Sequence, residues 1–242
     1  MNPSPQQALF TPAAGFRRWL PNALTILRLI IAFAFFTLLS VWNYPAGDLI
    51  QPVTPKHPLW AYLIAAALFG LAALTDAIDG PLARRWKVVS RFGRIMDPFA
   101  DKVLVVGSFI MLAGPRFGAE LPDEGRSILQ VSGVMPWMAV LILGRELLVT
   151  SIRAIMEADG RDFSAVAFGK IKMIVQACVI PAILIILGIT NVGYGTPGRR
   201  VIDVLVWITV AITALSGWPY AVRGLRGAFE PEPMPSERPP KP

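Results

Sequence analysis

Charge is scarce in this sequence. Only 16% of its 242 residues are Asp, Glu, Lys or Arg, where a soluble domain carries about 25%. That shortage excludes a pair of soluble domains and points to one membrane-embedded unit. Cysteine is scarcer still. Cys178 stands alone inside an apolar run, so an internal disulfide is excluded and nothing follows about redox compartment. The single histidine, His57, falls in a joining segment on the far side and reads as structural or solvated rather than catalytic. Acidic residues are outnumbered 16 to 23 by Lys and Arg, for a net charge of +7. In a soluble protein that excess would suggest nucleic acid. Here it suggests an anionic lipid surface or a phosphate-bearing substrate, and no nucleic-acid partner is expected. No internal repeat is visible. No small-residue cleavage site follows the first apolar run, so a cleavable signal peptide is not expected.

What the chain has in quantity is apolar length: 54% of its residues are hydrophobic. A bilayer core takes roughly 20 apolar residues to cross as a helix. Six segments approach that length, at 22–42, 59–83, 97–113, 133–157, 168–189 and 201–222. The joining stretches carry Pro and Gly, as in "NYPAGDLIQPVTPKHP", "GPRFGAELPDEG" and "NVGYGTPGRR". Ahead of the first segment, "PAAGFRRWLPNA" mixes Phe16, Trp19 and Leu20 with Arg17 and Arg18, a composition suited to a short helix lying in the interface. The tail "EPEPMPSERPPKP" is proline-rich and reads as disordered. The expected fold is therefore all-α and polytopic, with six transmembrane helices and an N-terminal interfacial helix. Residues 1–17 form an extension, 18–225 the membrane domain and 226–242 the tail.

Lys and Arg set the orientation. One side receives Arg17 and Arg18, the run from Arg84 to Arg94, Arg153, Arg161, Lys170, Lys172, Arg223 and Arg226. The other receives Lys56, Arg116, Arg126, Arg199 and Arg200. The richer side is expected to be cytoplasmic. Tryptophans near segment ends read as interface anchors, and Asp203 can pair with Arg199 or Arg200.

Four aspartates break the apolar pattern. Asp76 and Asp79 are three apart near the end of the second segment, and Asp97 and Asp101 are four apart at the start of the third. Each pair shares a helix face. Gly80 and Ala83 leave the first face nearly bare, so a bulky group could lie against the backbone. Pro98 is expected in the first turn of its helix, where its missing N–H costs nothing. The residues from Arg84 to Met96 are expected to form a basic connection that returns the chain at the same depth. Four carboxylates gathered in this way repel one another and are costly to desolvate. Hard oxygen donors at that density suit two divalent cations, Mg2+ or Mn2+.

More charge lies at the same depth, within roughly 5–20 Å of the helix ends by the rise per residue. Arg28 lies in the first segment and can partner an aspartate. Arg145 and Glu146 interrupt the fourth and read either as an intramembrane ion pair or as functional groups. Arg153, Lys170 and Lys172 complete the set; taken singly, each reads as a side chain snorkelling at a helix end. Cations beside carboxylates suggest a polyanionic substrate whose phosphates need both metals and guanidinium forks.

The spacing Asp76-x2-Asp79-Gly80-x2-Ala83-Arg84-x8-Gly93-x3-Asp97-x3-Asp101 resembles, at eight fixed positions, the signature of the CDP-alcohol phosphotransferase family. The stretches "PNALTILR" at 21–28, "GRELLVTSIR" at 144–153 and "GKIK" at 169–172 resemble the branch whose acceptor is glycerol 3-phosphate. The resemblance covers about residues 18–225. It implies a six-helix homodimeric enzyme of a bacterial-type inner or plasma membrane, with its active site facing the cytoplasm. The implied reaction moves the phosphatidyl group of CDP-diacylglycerol to glycerol 3-phosphate and releases CMP. By the same resemblance Asp76, Asp79 and Asp97 bind two divalent metals, and Asp101, beside them in the metal site, is the general base. Gly80, Ala83, Arg84 and Gly93, with Asn22 and Thr25, surround the CDP moiety. Arg145, Arg153, Lys170, Lys172 and Arg28 form the acceptor-phosphate pocket.

Other readings stay open at this point. The acceptor could be inositol, inositol phosphate, serine or phosphatidylglycerol. A divalent-cation transporter would also use membrane aspartates, though its polar sites should continue to the far side. A catalytically idle scaffold would not need the complete aspartate set.

Overall fold

The computed structural model of the chain describes residues 15–41, 59–86, 91–120, 128–158, 167–190, 192 and 195–229. Six helices carry most of them: α1 (Gly15–Val41), α2 (Leu59–Trp86), α3 (Arg91–Leu112), α4 (Pro136–Ala158), α5 (Ala167–Ile189) and α6 (Pro197–Phe229). Four contain stretches long and apolar enough to cross a membrane, at Asn22–Val41, Trp60–Ile78, Ile171–Ile189 and Pro197–Val222. Helix is the state such sequences must take, because hydrocarbon offers no partner to an open backbone N–H or C=O. Hydroxyls in these helices follow the same rule. Thr37 donates to Phe33 O at 2.8 Å, Ser108 to Leu104 O at 2.6 Å and Thr209 to Leu205 O at 2.8 Å.

Several boundaries differ from those the sequence suggests. The stretch expected as a separate interfacial helix runs, from Gly15, straight into α1. The expected connection from Arg84 to Met96 is mostly helix, since α2 continues to Trp86 and α3 begins at Arg91. Polar residues ended the hydropathy signal there without ending the helix. Pro98 consequently lies inside α3 and not in its first turn, where it removes one i to i−4 hydrogen bond. The expectations for residues 1–14 and for the tail beyond Phe229 lie outside the described residues, as does His57.

α1 packs on α2 and α3, α5 lies between α2 and α6, and α4 packs on α6. Small residues allow the close approach around α2, whose Ala61, Ala65, Phe69 and Ala72 are buried along one face. In lipid such approach matters more than apolarity, because the tails are as apolar as the side chains. Phe35 of α1 meets Phe69 of α2 with ring centroids 5.9 Å apart.

One end of the bundle is closed by an element too short to announce itself. Strands β1 (Gly118–Glu120) and β2 (Ile128–Gln130) pair antiparallel, Gly118 opposite Gln130. Gln130 Nε2 donates to Ala113 O at 2.6 Å and Ser132 Oγ to Leu112 O at 2.6 Å, which ties the hairpin to the end of α3. Arg199 ties it to α6. Its Nε lies 2.9 Å from both carboxyl oxygens of Asp203, and a terminal nitrogen donates to Gln130 O. Gly133 completes the clasp with φ +71°, and a Cβ there would stand 2.8 Å from Ile202 Cγ2. Gly133→Val is therefore expected to destabilise the protein by about 1–3 kcal/mol. The loss should appear in thermal unfolding in detergent, with substrate KM values unchanged.

Candidate active site

At the opposite end from the clasp, α1, α2 and α3 bring charge together. Arg28 is fully buried, and its NH1 lies 2.6 Å from Asp76 Oδ1. Three residues earlier in α1, the buried Thr25 donates from Oγ1 to Asp97 Oδ1 at 2.6 Å. Arg28 and Thr25 lie on neighbouring faces of one helix turn, so α1 reaches the acidic positions of both α2 and α3. Both contacts are to Oδ1, an arrangement in which a carboxylate can still offer Oδ2 to another ligand.

A cavity of about 230 Å³ opens beside this layer. Its charged lining is Arg28, Asp76, Asp101, Lys102, Glu146 and Lys172, and its apolar walls include Phe69, Leu104 and Ile174. Five of the six helices contribute to it, α1 to α5. Deeper in the bundle the buried Gln176 donates to Thr213 Oγ1 at 3.1 Å, which turns its amide toward α6. The cavity thus has a charged end and an apolar body, as suits a headgroup on an acyl chain.

The cations are placed unevenly. Lys172, nearly buried, contacts Glu146 Oε1, and the same oxygen takes Arg145 NH1 at 3.1 Å. Arg145 itself turns to α6. Its NH2 donates to Ser216 O at 3.4 Å, and its guanidinium carbon stands 5.9 Å from the centre of the Tyr220 ring. Gly217 permits that approach, since a Cβ there would lie 3.0 Å from Arg145 Cγ. Arg145 is absent from the cavity lining, so the fork expected to grip substrate directly is engaged in the α4–α6 contact. Arg153 is half-buried one turn beyond Val149, which packs with Ile152 and Tyr220.

Of the residues singled out from sequence, Arg28, Asp76, Asp101 and Lys172 meet in the cavity, and Thr25 with Asp97 lies outside its lining. Gly93 is buried in α3, and Asn22 sits one turn before Thr25 in α1. The side chains of Asp79, Ala83, Arg84 and Lys170 lie outside the described residues, although their backbones and that of Gly80 continue α2 and α5. Sequence reasoning missed Lys102 and Thr150. Lys102 Nζ donates to Thr150 Oγ1 at 2.6 Å. A lysine about three turns inside an apolar helix was itself a signal, because intramembrane ionisable residues default to function.

The acidic set offers only carboxylate oxygens. That donor chemistry fits Mg2+ or Mn2+ and not a soft metal. Among the described residues, no three of His, Cys, Asp and Glu stand close enough to hold one ion. The second aspartate of the signature, Asp79, has its side chain outside that set.

The family comparison bears directly on this layer of carboxylates. Residues 18–215 match the model of the CDP-alcohol phosphatidyltransferase family. The chain belongs to that family. A CDP-diacylglycerol–glycerol-3-phosphate 3-phosphatidyltransferase of Bacillus subtilis (strain 168) is 30% identical over 205 residues, 83% of this chain and 92% of that protein. A protein of the same name from Cereibacter sphaeroides is 28% identical over 240 residues, covering 85% and 95%. A probable phosphatidylglycerophosphate synthase of Mycobacterium tuberculosis (strain H37Rv) is 33% identical over 208 residues, covering 86% and 82%. The CDP-alcohol phosphatidyltransferase match spans all six helices, ending within α6, so the charged layer and the cavity both lie inside it.

Proposed function

We propose that this chain transfers the phosphatidyl group of CDP-diacylglycerol to a hydroxyl of glycerol 3-phosphate, forming phosphatidylglycerophosphate and CMP. The observation that carries the reading is the cavity in which Asp76 and Asp101, two members of the family signature, face Arg28, Lys102 and Lys172. A phosphorylated acceptor needs such cations, and a hydroxyl nucleophile needs such a carboxylate. The names of the relatives point to the same substrates.

In this reading Asp101 accepts the proton of the acceptor hydroxyl as its oxygen attacks the phosphorus that bears diacylglycerol. The bond from that phosphorus to the CMP oxygen breaks, and CMP departs. Asp76, Asp79 and Asp97, with Asp101 alongside, would hold divalent cations whose charge, when bound, offsets that of the pyrophosphate. Thr25 orients Asp97, and Arg28 orients Asp76. Gly80, Ala83, Arg84, Gly93 and Asn22 lie along the path proposed for the CDP moiety. Lys172 and Arg28 serve the acceptor phosphate from the cavity wall; Lys170 and Arg153 are assigned to the same phosphate by the family resemblance, and Arg145 acts through Glu146.

The same reading places six spans in the membrane, with the charged end at the cytoplasmic face, residues 18–225 as the catalytic domain and a homodimer as the working unit. A cation transporter is disfavoured by the far end, where the described Arg199 and Asp203 are consumed in a structural clasp.

The test is CMP release by the purified full chain with CDP-diacylglycerol and Mg2+, offered glycerol 3-phosphate, inositol phosphate, inositol, serine or phosphatidylglycerol in turn. Release is expected to be fastest with glycerol 3-phosphate, and a product of matching headgroup should appear by mass spectrometry. A clear preference for another acceptor would reassign the chain within its family.

A further inference from the structure

Among the described residues, three cations and three carboxylates line the cavity, and they are not equivalent. Arg28 faces Asp76 at 2.6 Å, and Lys172 contacts Glu146. Lys102 is held differently: its Nζ donates to the hydroxyl of Thr150 at 2.6 Å, a neutral acceptor. Thr150 is itself fixed, because its Oγ1 donates to the backbone carbonyl of Glu146 at 2.7 Å. Its proton is therefore committed to the helix, and its lone pairs are left toward Lys102. A cation beside a neutral oxygen keeps its charge for an incoming anion. One already at a buried carboxylate shares its charge with that partner.

Position adds to the electrostatics. Lys102 follows Asp101 directly on α3, about 100° further around the helix. Asp101 can face the acceptor hydroxyl while Lys102 stands on the α4 side of the same cavity. A small phosphorylated polyol has only a few bonds between its hydroxyl and its phosphate, so one such molecule can reach both side chains.

We propose that Lys102 also binds the phosphate of the acceptor, beside Lys172 and Arg28, and that Thr150 is the positioning residue that aims it. The inference rests on the transferase reading above and adds a further group that recognises the acceptor's charge.

The experiment uses the full chain in nanodiscs with Mg2+, varying glycerol 3-phosphate and CDP-diacylglycerol separately. K102M is expected to raise KM for glycerol 3-phosphate roughly tenfold or more, the scale of one charge-assisted hydrogen bond. KM for CDP-diacylglycerol should stay within about twofold, and K102R should recover part of the loss. T150V should raise the same KM by a smaller factor, and T150S should restore it, because only the hydroxyl is needed. The melting temperature of T150V should match the wild type. An unchanged KM for glycerol 3-phosphate in K102M overturns the inference, as does an equal rise for both substrates. A rise confined to CDP-diacylglycerol also overturns it and assigns Lys102 to the donor pyrophosphate. If K102M does not fold, T150V decides: an unaltered acceptor KM there rejects the proposal. A wild-type chain that releases no CMP with glycerol 3-phosphate overturns the functional reading and this inference together, whereas an active wild type with an unaffected K102M overturns the inference alone.

Discussion

Asp101→Asn is expected to lower kcat by about 10²–10⁴-fold, the usual contribution of a positioned general base, with KM for CDP-diacylglycerol little changed. Asn keeps the size of the side chain and removes its basicity, so the half-buried wall of the cavity stays in place. One confounding role must be separated. Asp101 lies four residues from Asp97 and could also ligate a cation, in which case Asn would weaken metal binding as well. The assay is therefore run across a Mg2+ titration. A deficit that persists at saturating Mg2+ is the signature of a lost base. A deficit that high Mg2+ repairs would make Asp101 a ligand, and near-normal turnover at every Mg2+ level would remove it from the chemistry.

Which helices carry the charged residues could be read from the sequence; how those helices turn toward one another could not. Apolar runs located all six helices because backbone satisfaction in lipid leaves no alternative state. The runs gave poor ends wherever polar residues continued a helix past the apolar segment, as at Arg84–Trp86 and Arg91–Met96. The strand pair at 118–120 and 128–130 was illegible because a three-residue strand shows no period of two. Within the site, the helices that carry Asp76, Asp97 and Asp101 were legible from the apolar pattern, but that Asp101 lines the cavity while Asp97 meets Thr25 outside it was not. The Arg28–Asp76, Arg145–Glu146 and Arg199–Asp203 contacts were each foreseen as possible pairs and are present. The turn of Arg145 toward Ser216 and Tyr220 depends on how α4 meets α6, 71 residues along the chain. Lys102 and Thr150 are 48 residues apart, and no local pattern connects them.

Asp76 has two roles in this account, and they can be pulled apart by pairing its substitution with one at Arg28. Asp76→Asn removes the counter-charge 2.6 Å from a fully buried guanidinium. Breaking a deeply buried pair costs about 3–5 kcal/mol. Here the Asp76 side chain is 36% exposed, so solvent screening reduces the expected loss to about 1–3 kcal/mol. Asp76→Asn should therefore melt earlier, turn over poorly and bind Mn2+ more weakly. Adding Arg28→Met removes the stranded charge and fills its space with an apolar chain, an exchange that is often neutral or better for stability. The double variant is thus expected to regain most of the lost melting temperature while Mn2+ affinity and turnover stay low. Recovery of stability without recovery of metal binding identifies the Asp76 carboxylate as a ligand that Arg28 holds in place. Were Mn2+ affinity and turnover to return along with stability, Asp76 would be no more than the counter-ion of a buried arginine. The metal site would then have to be built from Asp79, Asp97 and Asp101 alone.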